Sequence, residues 1–133
     1  MPERVAIIRQ KVIISGATPD QVYRAFLSSK EHSEITGAKA TCSARVGAEF
    51  SAWDGYISGK NVELVQGEKI VQEWKTSEWP DGYSPSKLQL SLKKVDSGTE
   101  LTLVQSNVPA SQAKDYEKGW HDLYWNPMKN YFA

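Results

Sequence analysis

Only one stretch of this chain can form a long amphipathic helix, and that constrains the fold more than any other feature. Over residues 109–132, Tyr116, Trp120, Leu123, Tyr124 and Met128 recur at helical spacing and make one broad apolar stripe. Lys114, Glu117, Lys118, Asp122 and Lys129 mark the opposite, wet face. Pro127 lies inside the pattern, where its ring clashes with the carbonyl of Leu123, so a bend or a break is expected there.

Most of the preceding chain reads as strand. Residues 5–14 are rich in Val and Ile, with apolar side chains on both parities, so this strand is expected to be covered on both sides for part of its length. Thr18-Pro19-Asp20-Gln21 is a helix start with a capping box, and the helix should end near Ser28 or Ser29. A second short helical turn over 30–36 is closed by Gly37. A weak strand is expected at 38–43, then strands at 49–53, 56–65 and 69–76. Asp54-Gly55 matches a two-residue hairpin turn, whose central positions both need positive φ. Gly59 reads as a bulge. Residues 87–95 and 99–105 alternate apolar and polar, as strands with one core face and one wet face do. Such a sheet needs a cover, and the last helix is the only long one available.

Composition removes several functions. The chain has 133 residues, the size of one domain, so a single domain over 1–133 is expected. Sixteen basic and sixteen acidic residues cancel, which removes the electrostatic case for nucleic acid. The apolar N-terminal run is broken by Arg9, Gln10 and Lys11, so neither a signal peptide nor a membrane span is expected. With a single cysteine, Cys42, a reducing cytoplasmic compartment is the simplest expectation.

Candidate chemistry is sparse. His32, His121 and Cys42 have no metal-ligand spacing, and no nucleophile elbow or phosphate-binding loop occurs. Glu63 and Glu73 lie on adjacent predicted strands, but the neighbouring Lys60, Lys69 and Lys75 favour an outward orientation. The aromatic residues carry the functional signal. Trp53, Tyr56, Trp74 and Trp79 come from the sheet and its loop, and Tyr116, Trp120, Tyr124 and Trp125 from the helix. Each offers a large apolar face with a polar tip, which suits a pocket that orients its ligand.

Several of these residues also resemble a known family. Phe50, Asp54-Gly55, Ser58-Gly59, Glu63-Leu64-Val65, Ile70-Val71, Trp74 and Trp79-Pro80, with the ending Gly119-Trp120, Tyr124-Trp125 and Met128-Lys129, resemble homologues of the heat-shock-protein ATPase activator. That family lies in the START-like (polyketide-cyclase-like) helix-grip superfamily. The resemblance covers about 15–132 and is to the C-terminal domain of the eukaryotic activators, whose separate N-terminal domain makes much of the chaperone contact. It implies a cytoplasmic protein and an α+β helix-grip fold. A curved antiparallel sheet of about six to seven strands would wrap the C-terminal helix, with one or two short helices after the first strand.

Two functions from different classes are expected. The first is a non-catalytic module binding an apolar or amphipathic small molecule between sheet and helix, through Trp53, Tyr56, Trp74, Tyr116, Trp120, Tyr124 and Met128. The second, implied by the resemblance, is a co-chaperone-like module contacting a heat-shock ATPase, with Trp79 and Pro80 in an exposed loop as the contact. A cyclase-like enzyme comes third. No catalytic residue, metal, cofactor, nucleic acid or membrane span is expected.

Overall fold

Strand formation follows the alternation in the sequence. The computed structural model describes residues 4–133; residues 1–3, part of the expected 1–133 domain, lie outside the described residues. Six strands form: β1 (Val5–Ser15), β2 (Glu49–Ala52), β3 (Ile57–Val65), β4 (Lys69–Thr76), β5 (Ser86–Val95) and β6 (Gly98–Pro109). They make one antiparallel curved sheet in the order β1-β6-β5-β4-β3-β2. Leu88 and Leu90 of β5 stand opposite Gln105 and Leu103 of β6, and all four are buried. The expected strand at 38–43 reduces to one bridge between Thr41 and Ser51.

β1 departs from the expectation of two-sided cover. Ile8, Val12 and Ile14 are buried, but Val5 and Ile7 on the other parity are 52% and 51% exposed. Among the described residues, none covers the outer apolar side chains of this edge strand. The bulge also moves. Gly59 pairs in register with Phe50 and Trp74, and the register instead shifts between Asn61 and Glu63. There the buried Asn61 amide donates to the carbonyls of Ser43 and Arg45 and accepts from Gln72 Nε2, fastening the connection before β2 to the sheet.

Two short helices follow β1. α1 (Pro19–Leu27) has its full capping box, with Thr18 and Gln21 bonded reciprocally at 3.2 and 2.8 Å. α2 (Ser29–Thr36) ends at Gly37, whose φ of 76° is the left-handed cap that glycine accepts without strain.

The C-terminal helix lies against the concave face in three segments: α3 (Ala113–Trp120), a π-helical turn (His121–Trp125) and α4 (Asn126–Tyr131). Pro127 does not break it. The wider turn precedes the proline, and the Asn126 N–H reaches back five residues to the His121 carbonyl. A π turn gives the ring room that an α turn would deny it. It also rotates the buried face. Leu123, placed by spacing in the apolar stripe, is 45% exposed, whereas Trp125 is 0% exposed.

Candidate functional site

Rings from the sheet and the helix meet as one continuous series. Trp79 stacks on Tyr116 at 6.2 Å between centroids; Tyr116 stands edge-on to Trp74 at 5.3 Å; Trp74 tilts against Trp120 at 5.6 Å. Trp120 continues to Trp125 at 5.3 Å and to Tyr124 at 4.9 Å, and Tyr124 meets the His32 ring edge at 5.3 Å. Each well-placed aromatic pair adds about 0.5–1.5 kcal/mol beyond its buried area. The indole donors are held as well. Trp120 Nε1 donates to Gln105 Oε1 at 2.9 Å, Trp125 Nε1 to Gln10 Oε1 at 2.8 Å, and Trp79 Nε1 to the Ser84 carbonyl at 2.9 Å. Gln105 is fully buried, and its amide also donates to Ser86 Oγ at 3.1 Å.

Between this series and the β2–β3 turn lies a pocket of about 390 Å³. Trp53, Tyr56, Ile57 and Trp74 line it from the sheet, and Tyr116, Gly119, Trp120, Leu123 and Tyr124 from the helix. Glu78, Gln112 and Asp115 complete the lining. Six of the seven residues expected around a ligand are therefore brought together. Met128 is not one of them. It closes a separate small void with Ala25, Phe26, His32 and Ile35, because the π turn carries it past the pocket and against α1 and α2. A broader depression beside α1 is lined by Asp20, Tyr23, Arg24, Leu27, Ser28, Ala44 and Gln66, and has one aromatic ring.

The turn that aims Trp53 is unusual. The expected positive φ values occur at Asp54 (57°) and Gly55 (94°), but Trp53 also has φ of 54°. The left-handed region is costly for a bulky side chain, and such residues persist where the surroundings over-determine them, often at functional sites. The Asp54 N–H and carboxylate clamp this turn to the Lys39 carbonyl and N–H. Trp53 Nε1 is buried, and the rings of Trp53 and Tyr124 meet edge-on at 6.4 Å, with the indole N–H directed to the Tyr124 hydroxyl.

Polar groups gather at one side of the pocket. Tyr56 Oη donates to the Glu78 carboxylate at 3.2 Å. Tyr116 Oη donates to Gln112 Oε1 and lies 2.7 Å from Thr76 Oγ1, and Gln112 Nε2 donates to the Glu78 carbonyl at 2.8 Å. Burial pushes the Tyr116 phenol up to about 12, with the Thr76 hydrogen bond opposing. Because the folded value lies above the ordinary 10.0, stability carried by the neutral phenol is whole below pH 10 and is lost as pH rises from 10 towards about 12. Denaturant titrations across this window should therefore show stability falling, and Tyr116→Phe should flatten part of the fall; an unchanged slope would exclude the Tyr116 assignment.

The remaining candidates stay outside the pocket lining. His32 Nδ1 donates to the Phe26 carbonyl at 2.9 Å, so its Nε2 accepts from Tyr124 Oη at 2.9 Å. Burial lowers the His32 pKa against the opposing Phe26 bond, keeping the ring neutral as this tautomer requires. Burial pushes the Cys42 thiol up, away from the nucleophilic thiolate. Glu63 and Glu73 are exposed on the outer face, with Glu63 bonded to Lys69 at 2.7 Å, so they form no acid–base pair in the pocket. Trp79 corrects another expectation. It is half-buried against the core and its N–H is used; Pro80 beside it is also half-buried, while Asp81 and Gly82 at the tip of that loop are exposed.

Spacing missed Gly119, Leu123 as a lining residue, and Gln112. For Gly119 and Leu123 the signal was available, since they stand i, i+4 beside the aromatic row Tyr116, Trp120 and Tyr124, whereas the lining role of Gln112 follows only from tertiary packing.

Residues 16–133 match the family model described as activator of Hsp90 ATPase homolog 1-like protein. The human protein named activator of 90 kDa heat shock protein ATPase homolog 1 is 30% identical over 116 residues, which is 87% of this chain but 34% of the human chain. An HSP90 activator from Plasmodium falciparum superposes with a TM-score of 0.82 at 22% identity, covering 96% of this chain and 94% of that one. The Aha1 dimer from Colwellia psychrerythraea gives 0.77 at 14% identity, covering 91% and 92%. The two structures establish the likeness of fold, and the chain spans about 34% of the human relative. Among the described residues, no helix is long and apolar enough to cross a membrane.

Proposed function

The chain belongs to the activator of Hsp90 ATPase homolog 1-like family, and we propose that it acts as a non-catalytic module binding an apolar or amphipathic small molecule between sheet and helix. The observation that carries this reading is the 390 Å³ pocket, walled by Trp53, Tyr56, Trp74, Tyr116, Trp120 and Tyr124. Its size and its mixture of apolar faces with a few polar groups are those of a small-molecule site.

Lineage supports a second reading, in which the module also engages a heat-shock chaperone. The human relative is named an activator of the 90 kDa heat shock protein ATPase. On this chain the contact would use the tip of the β4–β5 loop at Pro80, Asp81 and Gly82, rather than the inward-facing Trp79 ring.

Amide and indole chemical shifts of the labelled protein test both readings in one sample. Titration with the neutral fluorophore N-phenyl-1-naphthylamine is expected to saturate at one equivalent and to move the indole signals of Trp53, Trp74 and Trp120. Subsequent addition of Hsp90 should then perturb the amide signals of Asp81 and Gly82. A linear, unsaturable response to the fluorophore would sink the pocket reading, and unperturbed loop signals would sink the chaperone reading.

A further inference from the structure

Resting on the pocket reading, we infer that the ligand's polar end is a cation: a quaternary ammonium or a protonated amine attached to an apolar body. Three independent features of the lining converge on this. Six aromatic side chains line the cavity, and the negative face of an aromatic ring attracts an ammonium group. Two of the lining residues, Glu78 and Asp115, are carboxylates, and none is lysine, arginine or histidine. Lys118, which shares α3 with Asp115, is turned away and bonded to Asp122 at 2.9 Å.

The third feature is hydrogen-bond direction. At the polar side the donors are already spent: Tyr56 Oη on the Glu78 carboxylate, Tyr116 Oη on Gln112 Oε1, and Gln112 Nε2 on the Glu78 carbonyl. Carboxylate oxygens remain, and they accept only. A carboxylate, sulfate or phosphate head would meet two like charges here and no free donor. A cationic head meets acceptors, charge and ring faces together. The Trp53 N–H lies apart from this side and is directed to the Tyr124 hydroxyl.

Three probes sharing one skeleton isolate the head group: 4-phenylbutyltrimethylammonium, 4-phenylbutan-1-ol and 4-phenylbutanoate. Each is used to displace N-phenyl-1-naphthylamine at low salt. The cation is expected to bind about tenfold tighter than the carboxylate, with the alcohol between, from ring-face attraction and screened Coulomb terms. The double variant Glu78→Gln/Asp115→Asn should remove most of the cation's advantage over the alcohol. Both residues are exposed, so the variant should fold, and its thermal midpoint checks this. A carboxylate or alcohol that binds as tightly as the cation would overturn the inference and leave the pocket reading standing. Failure of the fluorophore itself to bind would overturn both.

Discussion

Gly59→Ala is expected to destabilise the protein by about 3 kcal/mol or more, lowering its thermal midpoint by roughly 10 °C. Gly59 sits in register between Phe50 of β2 and Trp74 of β4, on the core face of the sheet. A β-carbon there would lie 1.8 Å from the Glu73 carbonyl oxygen and 2.8 Å from the Phe50 ring. Neither can yield cheaply, because one is backbone in a central strand and the other is a buried ring. Gly82 supplies the control. Its φ of 84° disfavours a side chain, but nothing lies within 4 Å of an added β-carbon, so Gly82→Ala should cost only about 1 kcal/mol. Equal costs at the two positions would show that strand packing at Gly59 is looser than the structure requires. Since Trp74 and Ile57 line the pocket from the same strands, the Gly59 variant should also bind the fluorophore more weakly.

The second large effect is expected at Gly119. A glycine inside a helix costs about 1 kcal/mol relative to alanine, so some benefit should offset it. Here φ is ordinary, and an added β-carbon meets only the Leu123 side chain, at 3.9 Å. Gly119 also lies mid-way along the Asp115, Gly119, Leu123 row of the pocket wall. The missing side chain therefore leaves volume in the pocket. Gly119→Leu should raise stability by about 0.5–1 kcal/mol through helix propensity, while its side chain occupies space that a ligand would use. A substitution that strengthens the fold and abolishes binding is difficult to explain by general damage.

The fold was largely legible because its signals are local. The capping box at Thr18, the glycine stop at Gly37 and the alternation of β5 and β6 each follow from short-range chemistry. What the sequence concealed depended on tertiary choices. Pro127 announces a disturbance, but whether it bends, breaks or widens the helix depends on what Trp125 and Met128 gain by turning inward. That choice exposed Leu123 and removed Met128 from the pocket. Parity suggests cover for both faces of β1, yet among the described residues no second layer provides it. Gly59 resembled a bulge because a glycine in a strand has two common uses, and only the neighbouring Phe50 ring distinguishes close packing from irregular register. Trp79 next to Pro80 looked exposed, whereas stacking on Tyr116 holds it in.

For the candidate site the aromatic wall was legible and the polar side was not. Large amphipathic rings at helical and strand spacing are conspicuous in one dimension. Glu78, Gln112 and Asp115 are ordinary polar residues whose role as lining depends on the β4–β5 loop meeting the start of α3, as the Gln112 to Glu78 bond records.

The most direct measurement is therefore a paired titration of the unaltered protein and Gly119→Leu with N-phenyl-1-naphthylamine, alongside their thermal midpoints. Saturable one-to-one binding by the first, and its loss in a Gly119→Leu protein that melts at the same or a higher temperature, is the predicted result. Undiminished binding by a well-folded Gly119→Leu protein would contradict the placement of the ligand between sheet and helix.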